Sequence, residues 1–246
     1  MSEEWIIGKN PVLEALRSQR PINKILVLET IEKKSLNQLM RLAKDQNVFV
    51  QKVPKRKLDQ IGNHHQGVAA SIAAYEYAEL DDLFTLAEEK NEAPFFILLD
   101  ELEDPRNLGA ILRTADAVGA HGIIIPKRRS VQLTQTVAKA STGAIEYIPV
   151  VRVTNMSQTI DRLKDRGVWI IGTDAKGEHD YREIKYDLPL ALVIGSEGRG
   201  ISRIVAEKCD WLIRLPMRGT VTSLNASVSA SLLMYEVYRQ RFPIEE

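Results

Sequence analysis

The chain has 246 residues, of which 44% are hydrophobic and 27% charged, enough length and apolar content for a packed core and too ordinary a balance for a disordered polymer. Its 33 basic residues match 33 acidic ones, so no net charge draws it to nucleic acid, and a single cysteine, Cys209, excludes an intrachain disulfide framework and any cysteine-only metal site. The longest apolar runs, such as 95–99, are far too short to cross a bilayer, and the first residues are acidic rather than the basic start of an export signal; a cytoplasmic protein without a membrane partner is expected.

In chain order, Pro11 suits the first turn of a short helix over 11–16. A strand follows at 25–28, then a helical face of Leu36, Leu39, Met40 and Ala43, then extended segments at 48–53 and 67–72. These predict a small α/β domain over residues 1–72. Residues 1–75 hold 12 Lys and Arg against 7 Asp and Glu, 76–104 hold 1 against 11, and 105–246 hold 20 against 15. The neutral total therefore hides two mildly basic segments around an acidic one. The clusters Lys55–Lys57 and Lys127–Arg129 either make phosphate contacts or form ordinary solvated faces. Residues 73–94 are rich in alanine and acids, end at Pro94, and space Leu80, Leu83, Leu86 and Ala87 as a helix does. They are read as an acidic linker with a short helix, whose charge repels a phosphate backbone.

From Phe95 the pattern becomes strand, helix, strand. Residues 96–99 form a fully apolar strand; Leu108, Ile111, Leu112, Ala115 and Val118 mark one helical face, with Gly119 at a left-handed C-cap position; and 122–125 is the next strand. Further strands are expected at 168–172, 190–194 and 211–215. A last helix is expected over about 224–239, its apolar positions including Leu224, Val228, Leu232 and Tyr235. The alternation predicts an α/β domain with a parallel sheet over residues 95–246.

Three turns follow three of these strands: 104–119, 193–202 and 215–227. Ligands collect beyond the C-terminal ends of parallel strands, so the turns are candidates for one pocket despite their separation in sequence. Asn107 is placed to cap the helix that begins near Leu108. Arg113 lies off that helix's core face, either solvated or holding a phosphate in its guanidinium fork. Gly195, Gly198 and Gly200 match neither the dinucleotide nor the P-loop spacing; they either bring bare backbone to a flat ligand or close a strand-end turn, and Glu197 either binds a nucleoside or faces water. Leu215, Met217 and Leu224 could flank a base, and Ser223 and Asn225 stand at a helix start. His64, His65, His121 and His179 lack ligand spacing, so no metal is expected, and no nucleophile elbow is present.

At these turns the sequence resembles the SpoU/TrmH family of S-adenosylmethionine-dependent RNA ribose 2′-O-methyltransferases. The resemblance rests on the Asn107 to Arg113 element, on Gly195-Ser196-Glu197-Gly198, and on Leu215-Pro216-Met217 followed by Ser223-Leu224-Asn225. Residues 6–16 and 65–70 look like the ribosomal-protein-related RNA-binding domain that precedes the catalytic domain in large-subunit ribosomal RNA guanosine methyltransferases. The resemblance implies a deep trefoil knot, a homodimer and methyl transfer to a guanosine ribose of 23S ribosomal RNA. It implies Gly195, Leu215 and Leu224 as S-adenosylmethionine contacts, and Arg113, Asn107, Glu197, Ser223 and Asn225 as catalytic or supporting residues. Arg218 and Thr222 depart from the smaller residues common there. A transfer RNA substrate is the alternative, and a non-catalytic RNA-binding assembly factor is the alternative of a different class.

Overall fold

A computed structural model describes residues 5–17, 20–72, 75–220 and 223–244. The chain forms two compact units, one of Met1–Glu76 with Gln132–Thr136, the other of Tyr77–Val131 with Val137–Glu246.

The first unit is a four-stranded sheet in the order β1-β4-β2-β3. Its elements are β1 (Trp5–Ile7), α1 (Lys9–Arg17), β2 (Ile22–Leu28), α2 (Lys33–Asp45), β3 (Phe49–Val53), α3 (Lys55–Asp59) and β4 (Val68–Ile72). β2 runs parallel to β3, whereas β4 is antiparallel to both β1 and β2. Period-two alternation separates two faces. Ile25, Val27, Val68 and Ala70 pack with Val12, Leu16, Leu36 and Leu39 of α1 and α2, while Leu26, Val53 and Ala69 pack beneath Leu58 of the single-turn α3.

The second unit is a seven-stranded sheet, order β7-β6-β5-β10-β8-β11-β9, with every neighbouring pair parallel. Its elements are α4 (Leu80–Glu89), β5 (Phe95–Leu99), α5 (Pro105–Ala117), β6 (Gly122–Pro126), α6 (Gln135–Ser141), β7 (Val150–Val153), α7 (Met156–Asp165), β8 (Trp169–Thr173), β9 (His179–Asp180), β10 (Leu190–Ile194), α8 (Arg203–Ala206), β11 (Trp211–Arg214) and α9 (Ala226–Arg241). Strands β5 and β10 are wholly buried, which is why they read as unbroken apolar runs. On one face Phe96, Leu98, Ala191 and Val193 meet α4, α7 and α8. The alternate residues point to the other face, where α9 packs on β10 and α5 on α9.

The expected acidic linker is a structural part of this second unit beyond residue 77. α4 begins with a capping box formed by Glu79 and Asp82 and buries Leu80, Leu83, Phe84 and Ala87. Leu83 fills the space that a Cβ on Gly122 would need. Residues 73 and 74 lie outside the described residues. The last helix also differs from expectation: it starts at Ala226, and the apolar side chains it buries are Ala226, Ala230, Leu233, Met234 and Val237. The anticipated apolar positions Val228, Leu232 and Tyr235 are 46%, 48% and 53% exposed.

Candidate functional site

Strand order brings the three turns together. β10 lies between β5 and β8, and β11 lies beside β8, so the chain leaving β5, β10 and β11 emerges along one edge of the sheet. Asp100, at the end of β5, fastens two of these exits. Its N–H donates to Ile194 O at 2.8 Å, and its buried carboxylate accepts from Ser202 N at 2.7 Å. An acid placed directly after a fully apolar strand was the sequence signal for this anchor.

The turn after β10 is closed by a pair of 3.0 Å hydrogen bonds between Ser196 and Gly200. A Cβ on Gly195 would stand 2.1 Å from the backbone of Gly200, and Gly198 and Gly200 take φ of +83° and +69°. These glycines are therefore required by the closing of the turn itself. The Ser196 hydroxyl is buried and has no hydrogen-bond partner among the described residues.

Asn107 does not cap its helix. Asp104 does, accepting from Arg106 N at 2.8 Å with Pro105 in the first turn. Asn107 sits buried in that turn, and its Nδ2 donates to Glu197 Oε1 at 3.0 Å. Asn225 is the N-cap of α9, its Oδ1 accepting from Ser227 N at 2.9 Å and Val228 N at 3.3 Å. Its Nδ2 donates to Asn107 Oδ1 at 3.1 Å and to Glu197 Oε1 at 2.5 Å, and Ala226 N lies 3.4 Å from the same carboxylate oxygen. One residue from each turn thus meets the other two.

Beside this cluster lies an open cleft of about 530 Å³, lined by Gly195, Glu197, Leu215, Ser223 and Leu224 among others. Met217 and Leu224 present partly exposed apolar surface to it. Arg113 is not brought there: it is exposed on α5 and makes no hydrogen bond or ion pair to the other described residues. The adjacent Thr114 contacts Ser231 of α9 at 2.9 Å. Thr222 lies outside the described residues, and Arg218 is exposed.

Several of the remaining candidates have structural partners. His121 is buried with Nδ1 accepting from Phe95 N and Nε2 beside Glu92. His65 Nδ1 accepts from Gly67 N and its Nε2 contacts Asp59. Burial pushes the Cys209 thiol up to about 12, so it is protonated and inert at neutral pH. In the Lys127–Arg129 cluster, burial and then Arg152 lower the Lys127 ammonium pKa, while Arg129 pairs with Glu101 at 3.6 Å. Among the described residues no group of three or more His, Cys, Asp or Glu could hold a metal, and no helix is long and apolar enough to cross a membrane.

The chain belongs to the SpoU rRNA Methylase family, whose pattern residues 94–235 match, and is thereby an RNA methyltransferase of the SpoU/TrmH type. Residues 5–78 match a second family, described as RNA 2′-O ribose methyltransferase substrate binding. The chain is 62% identical over 244 residues to YacO of Bacillus subtilis (strain 168), covering 99% of this chain and 98% of that protein, whose name assigns it provisionally to the TrmH family of tRNA/rRNA methyltransferases. A protein of Staphylococcus aureus (strain MSSA476) with the same provisional assignment is 57% identical over the full length of both chains. Among solved structures, the SpoU methyltransferase AviRb from Streptomyces viridochromogenes, in complex with the cofactor AdoMet, superposes with a TM-score of 0.62 at 27% identity, covering 97% of this chain and 90% of that one.

Proposed function

We propose that this protein transfers a methyl group from S-adenosylmethionine to the ribose 2′-hydroxyl of a guanosine in 23S ribosomal RNA, as a cytoplasmic homodimer. The observation that carries this reading is the junction of Asn107, Glu197 and Asn225 beside the cleft walled by Gly195, Leu215 and Leu224. The cleft fits the donor. Its volume of about 530 Å³ lies within the roughly 300–1,000 Å³ usual for small-molecule sites. Leu215, Met217 and Leu224 offer apolar walls to a flat base, and the unpartnered Ser196 hydroxyl offers a polar contact. The AdoMet held by AviRb supports the same assignment. When bound, the donor supplies a methyl group already activated on a sulfonium, a chemistry that needs no metal.

The chain's own residues then have distinct tasks. Gly195, Leu215 and Leu224 hold the donor. Asn107, Glu197, Ser223 and Asn225 fix the reacting geometry, because Glu197 ties the first turns of α5 and α9 to the loop after β10. Arg113, through its guanidinium fork, binds RNA phosphate and stabilises the oxyanion that develops on the ribose. Its exposure on α5 outside the cleft, together with the exposed Val228, Leu232 and Tyr235 of α9, which packs on α5, supports a homodimer built on that stripe in which Arg113 serves the cleft of the second copy. The unit that begins at Tyr77 acts as the catalytic domain, threaded as a deep trefoil knot like the family it resembles. Residues 1–72 recruit RNA, and α4 belongs to the catalytic unit, whose core it completes.

Labelled donor is incubated with ribosomal RNA and with transfer RNA, and the modified nucleosides are mapped by mass spectrometry. The expected product is 2′-O-methylguanosine in 23S RNA. Methylation of a base alone overturns the chemistry. The tRNA/rRNA naming of YacO favours one second reading, and exclusive methylation of transfer RNA ribose selects it. RNA binding without donor binding or turnover selects the assembly factor. Mixing Arg113→Ala with Leu224→Asp protein restores turnover if Arg113 acts across the dimer.

A further inference from the structure

We propose that the N-terminal unit grips single-stranded RNA on a stacking platform formed by Trp5, Lys24 and Phe49. The proposal rests on the RNA-modifying reading above and names how this unit would hold its substrate.

The sheet register builds the platform. Trp5 is opposite Ser71, Ser71 is opposite Lys24, and Lys24 is opposite Phe49, so each strand of the β1-β4-β2-β3 sheet contributes one residue to a single row. Directly opposed residues share a face. A bulge between Ile22 and Lys24 gives β2 its two-sided character here: Ile22 enters the core under α1 and α2, and Lys24 turns to the other side, where its Nζ stands 5.5 Å from the Trp5 ring centroid. On that side α3 packs Leu58 on Leu26, Val53 and Ala69, and Trp5 packs against the edge of this cluster. Trp5, Lys24 and Phe49 stay half-buried. Between the two larger side chains Ser71 is small and fully buried, its hydroxyl without a partner among the described residues.

Two flat rings with a cation between them match the chemistry of a nucleic-acid strand. Aromatic faces stack bases regardless of sequence, and a lysine among them meets the phosphates. Trp5 and Phe49 are three strand spacings apart, ~14 Å, comparable to the sheet platforms on which other RNA-binding modules splay about two or three bases. The row contains no carboxylate, and Lys55, Arg56 and Lys57 are exposed on the helix that covers the rest of the same face. A strand with unpaired bases is favoured over a duplex, whose stacked bases present only their edges to such rings.

The full-length protein is titrated with a short unstructured oligouridylate and with a duplex RNA of the same length, at two salt concentrations, by fluorescence anisotropy. In a Trp169→Phe/Trp211→Phe background the emission of Trp5 is followed directly. The oligouridylate is expected to quench Trp5 and to bind more tightly than the duplex. Trp5→Leu and Phe49→Leu should each weaken binding roughly five- to a hundredfold, Trp5→Phe should restore most of it, and Lys24→Gln should reduce the salt slope by about one. Donor affinity by calorimetry should be unchanged throughout. Wild-type affinity in a folded Trp5→Leu protein, absent quenching, or equal affinity for the duplex overturns the platform. If donor binding and ribose methylation persist while these effects are missing, the platform alone is wrong. If the platform effects appear in a protein that neither binds donor nor methylates RNA, the enzymatic reading fails and the platform stands.

Discussion

Replacing Glu197 by alanine separates fold from chemistry. Glu197 Oε1 receives Asn107 Nδ2 at 3.0 Å and Asn225 Nδ2 at 2.5 Å, with Ala226 N more distant at 3.4 Å. A hydrogen bond to a charged group contributes about 1.5–3 kcal/mol when well shielded. Glu197 is exposed, so water replaces much of each bond and the discounted value is ~0.5–1 kcal/mol apiece. The two short bonds then sum to about 1–2 kcal/mol, a fall of roughly 2–8 °C in Tm for a chain of this size. The start of α9 should persist, because Asn225 Oδ1 keeps its bonds to Ser227 N and Val228 N. The rate should respond far more strongly. Without the carboxylate the loop after β10 is no longer tied to α5 and α9, and a displacement of about 1 Å at a reacting centre costs on the order of a hundredfold. Scanning calorimetry and single-turnover methyl transfer at saturating RNA measure the two effects on the same preparation. Glu197→Gln, which keeps an acceptor oxygen of the same shape, should recover most of the stability and part of the rate. A folded Glu197→Ala protein with a wild-type single-turnover rate refutes the reasoning, as does a Tm loss well beyond 10 °C, which would make the residue a structural support.

Arg113→Ala should lower the single-turnover rate by about 10²–10³ with unchanged donor affinity, whereas Leu224→Asp should weaken donor binding by leaving a charge against an apolar ligand; Leu224 is 36% exposed, so circular dichroism should show the second variant folded. A protein beginning at Tyr77 should fold and bind donor, but one beginning at Pro94 should not be recovered in soluble form. The latter loses Leu80, Leu83 and Phe84 from the core, at ~1.5–3 kcal/mol each a loss comparable to a typical total stability of about 5–15 kcal/mol; a stable Pro94 start would disprove the role given to α4. His121 is held below its ordinary value of 6.5 chiefly by burial and then by Lys90. Its Nδ1 accepts from Phe95 N at 3.0 Å, which leaves the proton on Nε2, donated to Glu92 at 3.1 Å. The unfolded chain therefore takes up a proton first, so stability is full above 6.5 and is lost as pH falls below it. Tm measured across that range should fall less steeply in His121→Gln, and identical slopes would exclude this histidine as the cause.

The sequence by itself determined the buried strands and the helices with a clear face. Phe95–Leu99, Gly122–Pro126 and Leu190–Ile194 are apolar throughout because both sides of a parallel sheet are covered, and α5 buries Leu108, Ile111, Leu112 and Ala115 at the spacing its periodicity predicts. Less was legible where the local pattern is mixed: α7 buries Thr159 alongside Met156, Ile160 and Leu163, and the four-residue β7 carries too few positions to show a period. The turn residues were visible as types, but their meeting was not. Asn107 and Glu197 are 90 residues apart, and they touch because β10 inserts beside β5, a pairing set by the order of strands in the finished sheet. Local spacing likewise placed Asn107 as a cap, although Asp104 beside Pro105 had already filled that position, which freed the amide to reach across to Glu197. In α9 the larger residues Val228, Leu232 and Tyr235 promised the core face, yet Ala226 and Ala230 are the ones buried beside Leu233 and Val237. Periodicity reports that a helix has apolar residues at intervals; which side turns inward depends on how closely a neighbouring helix approaches, and only the packed structure fixes that distance.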